Sequence, residues 1–400
     1  MFHLPPGKSG VLPNQLLEAA IDAKVIAADE PIPPANIQPA SLDLRLGDVA
    51  YGVGCSFLPG DATVEERLRR LAHSEIDISG GAVLPLSQPY IIPLQESLDL
   101  PGDVRGKANP KSSTGRADVF TRVLSDGSHF FDEVRAGYSG PLYLEVVPLS
   151  FPVRVQAGLT LNQLRLSCGR VELSDDEIRA EHARYPMLFD DGVPVEPDEL
   201  AIAGGLLLGL DLRGDRGRQV GYRARKNAYA LDLTRPRGSD PALYWDPVWR
   251  EKKQMNIVLD PDMFYLLMSK EAVRIPPGLA AEMTAYDPTS GELRTHYAGF
   301  FDPGFGYSAD DSLRGSTAAL EVRAHDVAFM IEHGQRVCKL TFERMLQPPT
   351  RVYGQDIKSN YQGQSNTLGK HFKLPRVRGT ATDAQAAEDA LFSDEQLSFS

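Results

Sequence analysis

The sequence predicts a mainly β protein made of two tandem domains of one fold, with a few short helices. Three observations lead there. Past an opening amphipathic stretch, the chain breaks into short runs rich in β-formers, such as "PYIIPL", "PLYLEVVPL", "FPVRV" and "LTLNQLRL", the spacing of an all-β barrel or sandwich. With 35 glycines and 30 prolines in 400 residues, long helices have little room. Finally, "LEVVPLSFPVRVQAGLTLNQLRL" (144–166) aligns without a gap on "LEVRAHDVAFMIEHGQRVCKLTF" (320–342). The LEV triplet, Gly158 with Gly334 and Leu164 with Leu340 are identical, and Val155 with Ile331, Leu161 with Val337 and Leu166 with Phe342 keep apolar character.

In chain order, "LPNQLLEAAIDAKVI" carries Leu16, Leu17, Ala20 and Ile21 at helical spacing, with Asn14 as the expected N-cap. "ASLDLRL" (40–46) pairs with "YALDLTR" (229–235) as a repeated block, and "LQESLDLPGDV" (94–104) with "SKEAVRIPPGL" (269–279). "LSDDEIRAEHARYP" predicts a second helix capped by Ser174, placed where a linker would be useful. The expected organisation is a first domain over 1–205, a second over 206–350, a segment over 351–375 that closes on substrate, and a polar, acidic, mobile tail over 376–400.

Composition narrows the function. Fifty-four acidic against 42 basic residues give a net charge of −12, which argues against binding a nucleic-acid polymer, since that needs an extended positive surface. A small anion in a local basic pocket is still compatible. The three cysteines, Cys55, Cys168 and Cys338, are far apart and suggest neither a disulfide framework nor a zinc site, so no protein metal ligands are expected. The start of the chain lacks the apolar core of a signal peptide, and no run approaches the ~18 apolar residues of a membrane span. A cytoplasmic protein without membrane contact is the expectation. P-loop, dinucleotide, zinc-protease, nucleophile-elbow and zinc-deaminase signatures are missing from the sequence.

Two places concentrate chemistry. In "NPKSSTGRADVF" (109–120), Lys111, Ser112, Ser113 and Arg116 surround a turn. Hydroxyls and backbone N–H groups at such a turn cradle phosphate oxygens, with Lys and Arg supplying charge. A polar turn that only satisfies itself has the same composition. Glu145 and Glu321 sit at the same repeat position within β-forming runs, where an inward carboxylate is costly unless paired or used. Alternation could equally point them outward. After the last expected strand, "RVYGQDIKSNYQGQSNTLGKHF" (351–372) reads either as a linker or as a tail that closes over a ligand.

Together these pieces resemble the deoxycytidine triphosphate deaminases, relatives of the trimeric dUTPases, in the long duplicated bacterial form. "VLPNQLLEAAIDAKVI" followed by "IQPASLDLRLGD" is similar to that family's opening helix and first strand. "KSSTGR" resembles its phosphate motif R-S-S-x-x-R, with Lys111 for the first Arg, and "FFDPGFGY" with "LEV" resembles its Asp-Pro-Gly turn and glutamate strand. Tyr353, Asn360, Tyr361 and Gln364 match its tail motif, Asn360 standing where that motif has Lys. Each repeat departs from the pattern: the first has "FDEVRAGYSG" for the Asp-Pro-Gly turn, the second has "DPTSGELR" for the serine loop, and Phe300 stands where members often carry Arg.

The resemblance implies two tandem dUTPase-like distorted β-barrel (β-clip) domains and a homo-oligomer. It implies a nucleotide substrate, dCTP, brought with Mg²⁺ and hydrolysed to dUTP and ammonia without zinc. Glu321, or Glu145 in a competing arrangement, would be the general base, with Arg116 holding water and base. Lys111, Ser112, Ser113, Ala298, Asp302, Tyr353, Asn360, Tyr361 and Gln364 would bind substrate. Because family sites form between neighbouring β-domains, the two repeats are expected to give one composite site. The alternatives are a dUTP diphosphatase or bifunctional enzyme, whose Gly-rich C-terminal phosphate motif is not seen, and a non-catalytic nucleotide-binding module.

Overall fold

The computed structural model describes residues 2–374, apart from 3, 6, 215–218, 252, 286–292, 296–298, 325, 358–360 and 365. Ala298, Asn360, most of "DPTSGELR" and the expected tail over 376–400 lie outside the described residues. Those described form a mainly β chain. Among them the helices are short, such as Asn14–Asp22, Val64–Leu71 and Asp175–Arg184. None is long and apolar enough to cross a membrane.

The two LEV blocks fold alike. Strand Ser139–Pro148 is followed by Val153–Val155 and Thr160–Cys168. Their counterparts are Ser316–Ala324, Phe329–Glu332 and Arg336–Arg344. Gly158 and Gly334 make the same turn in the left-handed region, at φ +79° and +77°, where a side chain would strain the backbone. Each donates its N–H to a carbonyl, Leu46 and Leu210 respectively, at 2.8 Å. Alternation then buries Leu144, Val146, Leu164 and Leu166 in one core, and Leu320, Val322, Leu340 and Phe342 in the other. Each such side chain contributes about 1.5–3 kcal/mol by leaving water.

Register corrects one repeat assignment. Asn162 lies between Leu44 of strand Leu42–Arg45 and Pro110 of strand Val104–Pro110. In the second repeat Cys338 lies likewise between Leu208 of Leu206–Gly209 and Ala285 of Leu279–Ala285. The structural partner of the first LDL block is therefore "LLLG" at 206–209. The block at 229–235 instead puts Leu231–Asp232 alongside Val153–Arg154 of the first repeat, in parallel. A three-residue likeness could not outweigh the fit of the apolar strand 206–209, buried at all four residues and paired along Arg336–Arg344.

Asn14 is also not a cap. Pro13 holds the N-cap position, and Asn14 is the first helical residue, with its side chain turned to the far end of the chain. Its Nδ2 donates to Thr350 Oγ1 at 2.7 Å, and its Oδ1 accepts from the N–H groups of Thr350 (3.0 Å) and Arg351 (3.3 Å). Arg351 adds an ion pair to Glu18 of the same helix at 2.5 Å. The opening helix thus fastens the start of the C-terminal segment. Ser174 does cap its helix, in a reciprocal box with Glu177.

Candidate active site

A cavity of ≈390 Å³ opens between the repeats. Strand Val104–Pro110, paired along Thr160–Cys168, delivers Lys111 to its edge. The chain then turns through one short helical turn, Ser112–Gly115. Lys111 N–H (3.0 Å) and Thr114 Oγ1 (2.7 Å) both donate to the Leu161 carbonyl, which pins the turn to the sheet. The N–H groups of Thr114, Gly115 and Arg116 donate back to Lys111 and Ser112 carbonyls. Helical geometry leaves the Ser112 and Ser113 amides, at the start of the turn, without such partners.

Glu321 comes from strand Ser316–Ala324 of the second repeat and meets this turn directly. A Cβ added to Gly115 would stand 2.6 Å from both Glu321 carboxylate oxygens, so only glycine admits the carboxylate there. Burial pushes the Glu321 carboxyl well above the usual range, and Asp118 adds to this while Arg116 opposes it. Among the described residues Glu321 makes no ion pair, and it borders the cavity. The juncture is clamped two residues on, where Arg323 Nη2 donates to Asp118 Oδ2 at 2.5 Å. Further ties across the repeats run from Lys107 (2.5 Å) and Asn109 (2.9 Å) to Glu282, and from Arg165 to Glu343 (2.5 Å).

Of the residues expected at the site, Lys111, Ser112, Ser113, Arg116, Asp302, Glu321, Tyr353, Tyr361 and Gln364 all border this one cavity. Lys111 is paired with Asp43 and also donates to Thr160 Oγ1 at 2.9 Å. The Arg116 guanidinium lies over the Tyr361 ring, 3.9 Å from its centroid. Asp302 is buried and pushed up to about 6 by that burial, against the attraction of Arg165 at 3.5 Å. Arg165, from the first repeat, stacks over the Phe300 ring at 3.9 Å, so a guanidinium stands behind the position where Phe replaces Arg.

Glu145 is not at the cavity. It is fully buried in the first repeat's sheet and accepts from Arg122 Nε (2.8 Å) and Nη2 (2.6 Å). Arg122 is in turn stacked 3.5 Å from the Phe131 ring.

Sequence reasoning missed three contributors. Asp43 and Lys370 border the cavity, and Gln362, rather than its neighbour Gln364, holds the Asp-Pro-Gly turn. Gln362 accepts from Gly306 N–H (3.0 Å) and donates to the Gly304 (3.3 Å) and Tyr307 (3.0 Å) carbonyls. Gly304, at φ +104°, lets the segment pass: a Cβ there would meet Val352 Cγ1 at 2.3 Å and the Tyr353 carbonyl oxygen at 2.6 Å. Gln364 donates to the Thr317 carbonyl at 2.7 Å, and its buried Oε1 has no partner among the described residues.

The chain matches the model of the 2′-deoxycytidine 5′-triphosphate deaminase N-terminal domain over residues 8–170 and that of the C-terminal domain over residues 174–372. It is 31% identical over 210 residues to a dCTP deaminase of Natronomonas pharaonis, covering 52% of this chain and 97% of that one. To a dUMP-forming dCTP deaminase of Methanosphaerula palustris it is 30% identical over 138 residues, 34% of this chain and 69% of the relative. The crystal structure of 2′-deoxycytidine 5′-triphosphate deaminase from Agrobacterium tumefaciens superposes with a TM-score of 0.81 at 42% identity, over 88% of this chain and 99% of that one. With both halves matched in order and a solved relative aligned nearly end to end, the chain belongs to the dCTP deaminase family.

Proposed function

We propose that the chain deaminates dCTP, water replacing the C4 amine to give dUTP and ammonia, and that Glu321 is the general base. The observation that carries this is the meeting of the Glu321 carboxylate with the Ser112–Gly115 turn. One repeat supplies a proton-transfer group and the other supplies phosphate-type donors, within a single cavity. A carboxyl with raised proton affinity is suited to take a proton from water and return it to the ring and the departing amine. Arg116, held over Tyr361, orients water and base. Ser112, Ser113 and Lys111 hold the phosphates, with Tyr353, Tyr361, Gln364 and Asp302 around the nucleoside. Water activation then rests on the carboxylate and oriented donors rather than on zinc.

Mg²⁺ enters as part of the substrate, held by its phosphates. Among the described residues no group of three or more His, Cys, Asp or Glu is placed to hold a metal. The fold is then a pair of tandem dUTPase-like β-clip domains, 1–205 and 206–350, with 351–375 closing on substrate, in a cytoplasmic homo-oligomer. The matched strand registers of the repeats support the duplication.

Glu321→Gln should abolish ammonia release while dCTP affinity stays within a few-fold of the parent. A variant that retains full turnover would remove Glu321 from its role. A second reading, release of pyrophosphate as well, is favoured by the relatives named as dUMP-forming. Measuring ammonia and pyrophosphate separately from dCTP and from dUTP decides between them.

A further inference from the structure

One cation at the cavity lies beyond the tail motif that ends at Gln364. Lys370 borders it six residues beyond Gln364, in a segment that the fold fixes firmly. Its N–H donates to Tyr361 Oη at 3.3 Å, and its carbonyl accepts from Arg237 N–H at 2.8 Å. The neighbouring His371 carbonyl accepts from Ser239 N–H at 3.1 Å. Phe372 packs edge-on to Tyr244 and Trp245, with ring centroids 5.4 and 5.8 Å apart. Gly369 presses against the serine turn, its Cβ direction 3.6 Å from the Ser113 carbonyl oxygen.

The ionisable groups facing Lys370 are Lys111 and Asp43, with Tyr361 and buried His371 beside it on its own segment. Asp43 is already paired with Lys111. Two ammonium groups therefore share one carboxylate, and among the described residues Lys370 makes no ion pair. Burial, and then Lys111, lowers the Lys370 ammonium to about 8, with Asp43 opposing. An unbalanced, half-buried pair of cations beside the hydroxyls of Ser112 and Ser113 is a fit for a polyanion.

We propose that Lys370 is a phosphate-binding residue of this site, acting with Lys111 and the Ser112–Ser113 turn, and that it sets the preference for the triphosphate over the bare nucleoside. This rests on the reading of the cavity as a nucleotide site. The test is calorimetric binding of dCTP and deoxycytidine to the full-length parent, Lys370→Met and Lys370→Arg at pH 7 and pH 9, with KM and kcat for ammonia release. Losing one charge-assisted contact should weaken dCTP binding by roughly 10- to 100-fold in Lys370→Met and raise KM more than it lowers kcat. Deoxycytidine affinity should stay within about twofold, and Lys370→Arg should recover most of the loss.

At pH 9 the parent should also take up protons on binding dCTP, because the phosphates recharge Lys370, and Lys370→Met should not. Unchanged dCTP affinity in Lys370→Met, or equal losses for dCTP and deoxycytidine, overturns the assignment while leaving the site reading intact. A parent that binds no cytosine nucleotide overturns both.

Discussion

Gly115→Ala separates the chemistry from the fold most cleanly. Gly115 ends the helical turn at an ordinary negative φ, so alanine fits the backbone and, by helix preference, stabilises the turn by up to ~1 kcal/mol. Its methyl cannot coexist with the carboxylate, however, because the added Cβ stands 2.6 Å from both Glu321 oxygens and 2.8 Å from Cδ. Ordinary contact begins near 3.4 Å, so the carboxylate must withdraw by about 0.8 Å. A side-chain end can do that at little cost to folding. A displacement near 1 Å at a reacting group lowers turnover by about 100-fold, equivalent to about 2.7 kcal/mol in the barrier. Ammonia release from dCTP under saturating conditions measures kcat, and a thermal melt measures stability. The expectation is a Tm at or above the parent's with kcat down by about two orders of magnitude. A kcat within threefold of the parent would refute the claim that Glu321 acts from its place against this turn.

Glu145→Gln should leave kcat near the parent value and lower stability. The amide keeps the shape but gives up a charge-assisted pair with Arg122, worth about 1.5–3 kcal/mol, and urea unfolding beside an activity assay reads both effects. A collapse of kcat with stability intact would return the base assignment to Glu145. His371 sets a pH limit. Burial, then Lys370, keeps its ring neutral down to about pH 3, whereas in the unfolded chain it protonates near 6.5. The unfolded state therefore takes the proton first, and stability is lost as pH falls from about 6.5 toward 3, by at most about 5 kcal/mol. His371→Phe should flatten the fall between pH 7.5 and 4.5 in urea unfolding. Equal slopes in parent and variant would remove His371 as its source.

The parts legible in the sequence are those fixed by local pattern. The LEV blocks, their shared glycine and the Ser174 cap depend on neighbours within a few residues, and each folds as read. The box of Thr63 with Glu66 that caps Val64–Leu71 is equally local, carried by the pattern T-x-x-E. What escaped depends on partners far along the chain. Asn14 has cap chemistry, yet its amide is used on Thr350, 336 positions away. Gln362 and Gln364 are indistinguishable by composition, and only the Asp-Pro-Gly turn decides which one holds it. Lys370 reaches the cavity because Phe372 is buried against Trp245 and Ser239 pairs with its segment, neither of which a motif encodes.

The two glutamates at matching positions of the LEV strands meet opposite surroundings. A buried carboxylate must be neutralised, paired or used. In the first repeat Arg122 stands opposite Glu145 across the strand pair and neutralises it, under the Phe131 ring. In the second repeat no described cation pairs with Glu321. Its carboxylate reaches instead into the gap that Gly115 leaves in the other repeat. For the proposed role of Glu321 that gap has to hold its width, because a site built from two repeats loses rate when they shift by a fraction of an ångström. The polar ties crossing the juncture, Asp118 with Arg323, Glu282 with Lys107 and Asn109, and Arg165 with Glu343, therefore do more than join two cores. Each joins a side chain of one repeat to a side chain of the other, so the geometry around Glu321 is set by the same contacts that hold the two repeats together.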